Sequence, residues 1–267
     1  NGRRVVDSVC VEWHRRRMSL SLGTNITFMD LCVDGMEIGE AREHVARSIL
    51  AHNPPPKYLF FLDDDVLPDY DAFIKLFFRL QTNPEFDVAA GVYACKGIGE
   101  PLIYAGNGCG PFWDWAIGDL LTTNGHGITG THMGLTLIRV SLFNRMLDAN
   151  VVNDEVPFFK TVKEKSRAGN GALMSKSGTE DLYFYSLAKK IDPPCNIIVD
   201  TSVLAGHYDK HNGITWGLPE ESPPVKRAKW LGGKDKKEVS EGDIKLALDL
   251  GAGGTRREWP GHKTYTT

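Results

Sequence analysis

Five apolar residues in a row, Tyr58-Leu59-Phe60-Phe61-Leu62, run straight into three aspartates, Asp63, Asp64 and Asp65. This feature constrains the fold more than any other. Successive side chains of a strand point to opposite faces, so an unbroken apolar strand must be covered on both sides. Residues 37–52 (EIGEAREHVARSILAH) repeat apolar side chains at Ile38, Ala41, Val45, Ile49 and Leu50, the spacing of a helix. Asn53-Pro54-Pro55-Pro56 stops that helix, because proline cannot continue the hydrogen-bond ladder. Residues 71–82 (DAFIKLFFRLQT) predict another helix with Asp71 acidic in its first turn, and residues 87–93 (DVAAGVY) another buried strand. The alternation predicts an α/β fold with a mixed, mostly parallel sheet flanked by helices.

Further along, Leu135-Thr136-Leu137-Ile138 reads as a strand and residues 141–147 as a helix. Residues 97–134 are glycine-rich and read as irregular loops with short strands. Residues 160–178 are polar and rich in Gly, Ser and Lys, the composition of a mobile loop. Thr179 is placed to N-cap a helix running to Lys190, and residues 196–199 form one more apolar strand. Three regions follow: a main domain over 1–208, a basic linker over 209–240 carrying Lys226, Arg227, Lys229, Lys234, Lys236 and Lys237, and a C-terminal stub over 241–267.

Composition excludes several classes. There is no apolar run long enough for a membrane helix, and the first residues, NGRRVVDS, lack an apolar signal core. A net charge of −3 argues against a dedicated nucleic-acid binder. The five cysteines, Cys10, Cys32, Cys95, Cys109 and Cys195, are odd in number and contain no CxxC pair. That pattern fits reduced thiols in a cytoplasm and disfavours a disulfide framework or a structural zinc.

The chemistry centres on the aspartates. On a continuing strand Asp63 and Asp65 share a face and Asp64 points elsewhere. Carboxylates at the carboxyl end of a buried strand lie where α/β sheets bind ligands. Their mutual repulsion is relieved by a hard divalent cation, Mg²⁺ or Mn²⁺, and such an ion can neutralise a diphosphate leaving group. The plain alternative is a solvated acidic turn. Glu180-Asp181 forms a second carboxylate pair at a helix start, where the dipole alone can account for it. His207 follows an apolar strand and the turn-like Leu204-Ala205-Gly206, with His211 an equally available neighbour. Trp113 and Trp115 suit either a sugar face or the core.

In order, the chain shows Ala41-Arg42 on a helix, then LFFLDDDVLP, AGVYACK, GTHMGLTLIRVSLF, PFFKT, GTEDLYF and VDTSVLAGH. This succession, over residues 8–209, resembles the metal-dependent glycosyltransferases of the GT-A (Rossmann-like) fold, especially small family 2-like enzymes of bacteria and their phages. The resemblance implies a donor of the nucleotide-diphosphate sugar type, UDP- or GDP-linked, with Mn²⁺ or Mg²⁺ as cofactor. It makes Asp65 a direct metal ligand and Asp63 a holder of the ribose or a metal-bound water, with His207 completing the metal site. It puts Arg42 near the diphosphate and Met133-Gly134 at the sugar pocket. Asp64, Tyr93 and Lys96 fall with this donor-binding group. Asp181 matches the catalytic base of inverting relatives, with Glu180 beside it. Bacterial or phage relatives imply work in the cytoplasm.

Transfer passes through an oxocarbenium-like state, with a carboxylate taking the acceptor proton. The basic 209–240 segment is expected to close over the diphosphate. Relatives open with an apolar strand and a Pro-Thr loop that holds the base, whereas here only NGRRVVDSVCVEW precedes the first helix. Residues 243–254 (DIKLALDLGAGG) resemble the first strand and glycine loop of a class I methyltransferase. The competing functions are a nucleotidyltransferase, which would need a glycine-rich phosphate loop, and a non-catalytic nucleotide- or glycan-binding module. The acceptor is not legible. Nucleic acid enters only as a modified-base acceptor.

Overall fold

A computed structural model describes residues 8–19, 25–96, 99–106, 111–167, 173–211 and 213–217, with the side chains of 8–12, 163–177 and 214 left aside. In chain order the elements are α1 (Ser8–Ser19), α2 (Ile38–Ala51), β1 (Tyr58–Leu62), β2 (Val66–Pro68), α3 (Ala72–Thr82), β3 (Val88–Val92), β4 (Ile103–Ala105), β5 (Leu120–Thr122), α4 (Thr123–His126), β6 (Ile128–Thr131), β7 (Leu135–Arg139), α5 (Val140–Asp148), β8 (Val162–Arg167), β9 (Leu173–Gly178), α6 (Glu180–Ala188), β10 (Ile197–Asp209) and β11 (Ile214–Trp216).

The fold is mixed α/β. Its main sheet runs β1-β7-β3-β10-β11, with β2 and β5 also paired to β10. The expectation of a mostly parallel sheet is corrected. Within this sheet β3–β10 is the parallel pairing, and the other pairings are antiparallel. The physical reason lies in β7. The chain leaves β1 through α3 and comes back as β3 in the same direction, but not directly beside β1. The later strand β7 fills the gap and runs the opposite way, bonded to both. Strands β1, β3 and β10 therefore share one direction, and their carboxyl ends open on one edge of the sheet.

Alternation along the strands sorts the core into two layers. Leu59 and Phe61 of β1, Val88, Ala90 and Val92 of β3, Ile138 of β7, and Ile197 and Val199 of β10 face one side. There they meet α2, α5 and α6 through Ala46, Ile49, Phe143, Met146, Phe184 and Leu187. Phe60, Ala89, Leu137 and Ile198 face the other side and meet Phe73, Leu76 and Leu80 of α3. The apolar run at 58–62 is covered on both faces, as its composition requires.

Helix boundaries match their chemical signals. Glu37 caps α2 by accepting from the N–H groups of Gly39 and Glu40 at 2.8 and 3.2 Å. Asp71 sits at the N-cap of α3 but makes no cap bond; it pairs instead with Lys75 at 2.9 Å, one turn on. Thr179 holds the N-cap position of α6, and its hydroxyl donates to Asp181 rather than accepting from the backbone. Two loop assignments are corrected. Residues 162–167 and 173–178 pair as an antiparallel hairpin where a mobile loop was expected, because backbone pairing tolerates a polar composition. The strand expected over 196–199 continues to Asp209, and residues 214–216 pair back onto its end, so the supposed linker begins in the sheet. The rest of the linker and the 241–267 stub lie outside the described residues, as does Cys109.

Gly91 shows how tightly the sheet closes. A Cβ there would come 2.5 Å from Leu135 Cδ2 and 2.7 Å from the Val203 carbonyl oxygen. Gly91→Ala is expected to destabilise the fold by about 1–3 kcal/mol through overpacking. The shift in urea midpoint at unchanged slope would measure it.

Candidate functional site

At the carboxyl end of β1 the strand stops and the chain turns before β2 begins at Val66. Asp63, Asp64 and Asp65 therefore lie in a turn and not on a continuing strand. Its backbone is fixed from several sides. Asp63 N–H donates to Gly134 O (3.1 Å), and its own carbonyl accepts from Val66 N–H (3.1 Å) and Trp13 Nε1 of α1 (2.7 Å). Tyr208 N–H of β10 donates to Asp65 O at 2.7 Å. The turn sends the three carboxylates to three environments, with Asp64 exposed to solvent.

Asp63 faces Arg42 of α2. Arg42 Nη2 donates to both of its oxygens, at 3.0 and 2.9 Å, and Nη1 lies 3.0 Å from Glu180 Oε1 at the start of α6. Asp65 faces the other way. Lys96 Nζ donates to its Oδ2, and His207 Nε2 stands 3.6 Å from Oδ1. Asp181 Oδ1 accepts from Leu182 N–H at 2.7 Å and from the Thr179 hydroxyl. The structure thus brings together Arg42, Asp63, Asp65, Lys96, Glu180, Asp181 and His207 from α2, the ends of β1 and β3, α6 and β10. This is the edge where the three same-direction strands end, the usual ligand position in α/β sheets.

Burial raises the carboxyl pKa of Asp63, with Asp65 adding to the effect and Arg42 opposing it. Burial also raises Glu180, again against Arg42. Asp64 is raised by desolvation and then by its two neighbours. Desolvation acts on Asp65 too, but the contacts with His207 and Lys96 outweigh it and bring that carboxyl down to about 2. Five carboxylates here face two permanent cations, Arg42 and Lys96. The excess negative charge favours a further cation.

Among the described residues, no three His, Cys, Asp or Glu side chains form a ready metal-binding group. The donors that remain for a metal centre on His207. His207 Nδ1 lies 2.8 Å from the Ala94 carbonyl oxygen, which can only accept, so Nδ1 carries a proton. Nε2, 3.6 Å from Asp65 Oδ1, can then donate to that carboxylate when protonated or turn its lone pair to a cation. Two acceptors at 3.6 Å repel unless a proton or a cation lies between them. A histidine whose second nitrogen is held by a backbone carbonyl is the usual arrangement of a metal ligand. Asp65 and His207 fit a divalent ion. Asp63 has both oxygens on Arg42.

The remaining expected residues divide. Gly134 lies against Asp63: a Cβ there would run into Asp63 Oδ2 and stand 2.6 Å from Tyr93 Oη. Tyr93 is buried, with its ring 4.8 Å from that of His207. Met133 is fully buried in the core. Trp113 and Trp115 are buried too, and Trp115 Nε1 donates to Phe112 O at 2.9 Å, which favours the core reading. His211 is exposed and does not join the cluster.

His132 escaped the sequence reading, although it stands next to Met133-Gly134. It is 1% exposed, its ring is 3.9 Å from Tyr93, and its Nε2 donates to Gly91 O at 3.0 Å. No pattern marks it, since a single buried histidine has no spacing signature. The chain matches no protein-family model, and no curated protein is significantly similar to it. No helix among the described residues is long and apolar enough to cross a membrane.

Desolvation drives His132 down to about 3, so it stays neutral in the fold. An unfolded histidine titrates near 6.5. Between these values the unfolded chain binds a proton that the folded chain refuses. Stability therefore falls as pH drops from about 6.5 toward 3, by an amount on the order of a few kcal/mol. His132→Gln should flatten the melting-temperature profile in this window, as measured by thermal denaturation from pH 7 to 4. Gly134→Ala is expected to lower stability by about 1–3 kcal/mol and to displace Asp63, measurable as a lower urea midpoint.

Proposed function

We propose that this chain is a metal-dependent glycosyltransferase that moves a sugar from a UDP- or GDP-linked donor to an acceptor hydroxyl with inversion. The observation that carries the reading is the convergence of the strand-end carboxylates Asp63 and Asp65 with His207, Lys96, Arg42 and the Glu180-Asp181 pair at one sheet edge. The strand-end position is also what the GT-A resemblance requires. Asp65 and His207 would hold Mn²⁺ or Mg²⁺, which when bound neutralises charge on the departing nucleoside diphosphate. Lys96, 33% exposed and paired with Asp65, would add a second positive charge beside the same oxygens.

Asp181 acts as the base. Its Oδ1 is occupied by Leu182 N–H and the Thr179 hydroxyl, which leaves Oδ2 as the oxygen to take the acceptor proton. Proton removal from the acceptor hydroxyl by a positioned carboxylate contributes about 10²–10⁴ in rate. Gly134 keeps the backbone close to Asp63 and Tyr93 on the donor side. The bacterial or phage character of the resemblance goes with a cytoplasmic site of action. A second reading, a non-catalytic binding module, draws on the fact that Arg42 and Lys96 already neutralise Asp63 and Asp65.

Incubation with a panel of UDP- and GDP-sugars, in Mn²⁺, Mg²⁺ or EDTA, tests both. Release of nucleoside diphosphate from one donor, dependent on metal and lost in Asp65→Ala, is the expected result. Asp181→Asn should lower kcat by about 10²–10⁴ and leave donor binding intact. A binding module would bind its ligand without metal and without turnover. A product with the donor's own anomeric configuration would exclude inversion.

A further inference from the structure

We infer that Arg42 is a tether that positions Asp63 and Glu180 relative to each other, and not a ligand of the donor diphosphate. This assignment of a role in turnover rests on the glycosyltransferase reading, whereas the tether itself rests on geometry. Arg42 is 5% exposed. A phosphate-binding arginine presents its fork to the ligand. Here the fork already faces two carboxylates: Nη2 donates to both Asp63 oxygens, and Nη1 stands in ion-pair contact with Glu180 Oε1 at 3.0 Å without a hydrogen bond. The guanidinium carbon lies 5.8 Å from the centroid of the Phe61 ring, which closes another side. Nε and Nη1 have no hydrogen-bond partner, but both atoms are sealed from solvent and are not open to a ligand.

The two carboxylates belong to separate elements. Asp63 follows the last residue of β1, at the sheet edge; Glu180 opens α6, in the helical layer above it. One buried cation joined to both fixes the distance from the β1 turn to the first turn of α6. Asp181 is the next residue on α6, so the tether sets where the base stands. It also holds Asp63 away from the Asp65–His207 pair, which leaves that pair to bind the metal. Gly39 and the Glu37 cap hold the start of α2 against residues 160–161, so the arginine is itself delivered from a fixed helix end.

The test uses Arg42→Lys and Arg42→Gln in the whole chain, with Arg42→Lys as the variant that keeps the charge should Arg42→Gln fail to fold. Amide exchange reads the tether without any ligand. The Asp63 and Leu182 amides should both exchange at least tenfold faster in the variants, with the amides of α3 unchanged. Wild-type protection at both positions would overturn the tether. Calorimetry with UDP and with GDP in Mn²⁺, together with donor turnover, reads the role. The expected result is nucleotide affinity within about threefold of wild type and kcat lowered by roughly tenfold to a hundredfold, as small misplacements of catalytic groups produce. Affinity lowered tenfold or more at unchanged kcat would make Arg42 a diphosphate ligand and overturn the inference. If the wild-type chain binds neither nucleotide and turns over no donor, the glycosyltransferase reading fails and with it the role in turnover, while the exchange result still decides the tether.

Discussion

Carboxylates crowded at the end of a buried strand cannot stand alone. Asp63 and Asp65 are partly drawn out of water by the layers that bury β1, and the carboxylates repel one another. The structure depends on how this charge is met. Arg42 comes from α2 to meet Asp63 and Glu180, and Lys96 and His207 come from the ends of β3 and β10 to meet Asp65. Three separate parts of the chain are thereby bound to one short turn, and α6 is joined to it through Arg42. Removing a buried partner from such a pair typically costs about 3–5 kcal/mol, because a charge is then left without compensation.

The sheet supplies the platform. With β7 inserted against the direction of its neighbours, β1, β3 and β10 still end on the same edge. Site residues separated by more than a hundred positions in sequence meet there because strand ends meet there. The backbone of the acidic turn adds rigidity, since α1, the Gly134 loop and β10 each take one of its polar groups. Preorganisation of this kind lets a fixed array of charge act on a developing one without first rearranging. The same rigidity explains why glycine stands at 134: there is no room for a side chain between Asp63 and Tyr93.

Much of the local architecture was legible. The apolar run at 58–62, the 3.6-residue periodicity over 37–52 and 71–82, and the short strand at 135–138 are signals carried by neighbouring residues, and the elements form where they predict. Asp63, Asp65, Glu180, Asp181 and His207 were also visible as candidates, because ionisable residues beside apolar strands are conspicuous. Strand direction was not legible. Whether a strand pairs parallel or antiparallel depends on which strand arrives beside it, and β7 arrives from more than forty residues downstream of β3. The 162–178 hairpin was hidden for a related reason: its residues are polar, and its bonds are between backbones that carry no side-chain signature.

By itself the sequence determined that a doubly covered strand would end in carboxylates, and that helices would flank it, because alternation and periodicity are properties of adjacent residues. Only the tertiary structure decided what each carboxylate does. It put Asp63 on a buried arginine, Asp65 between a lysine and a histidine, and Asp64 in water, although all three are the same residue in one unbroken run. It also turned Met133 and the two tryptophans into core and singled out His207 over His211. Charge compensation and burial are set by distances across the fold, and those distances exist only once the sheet edge has assembled.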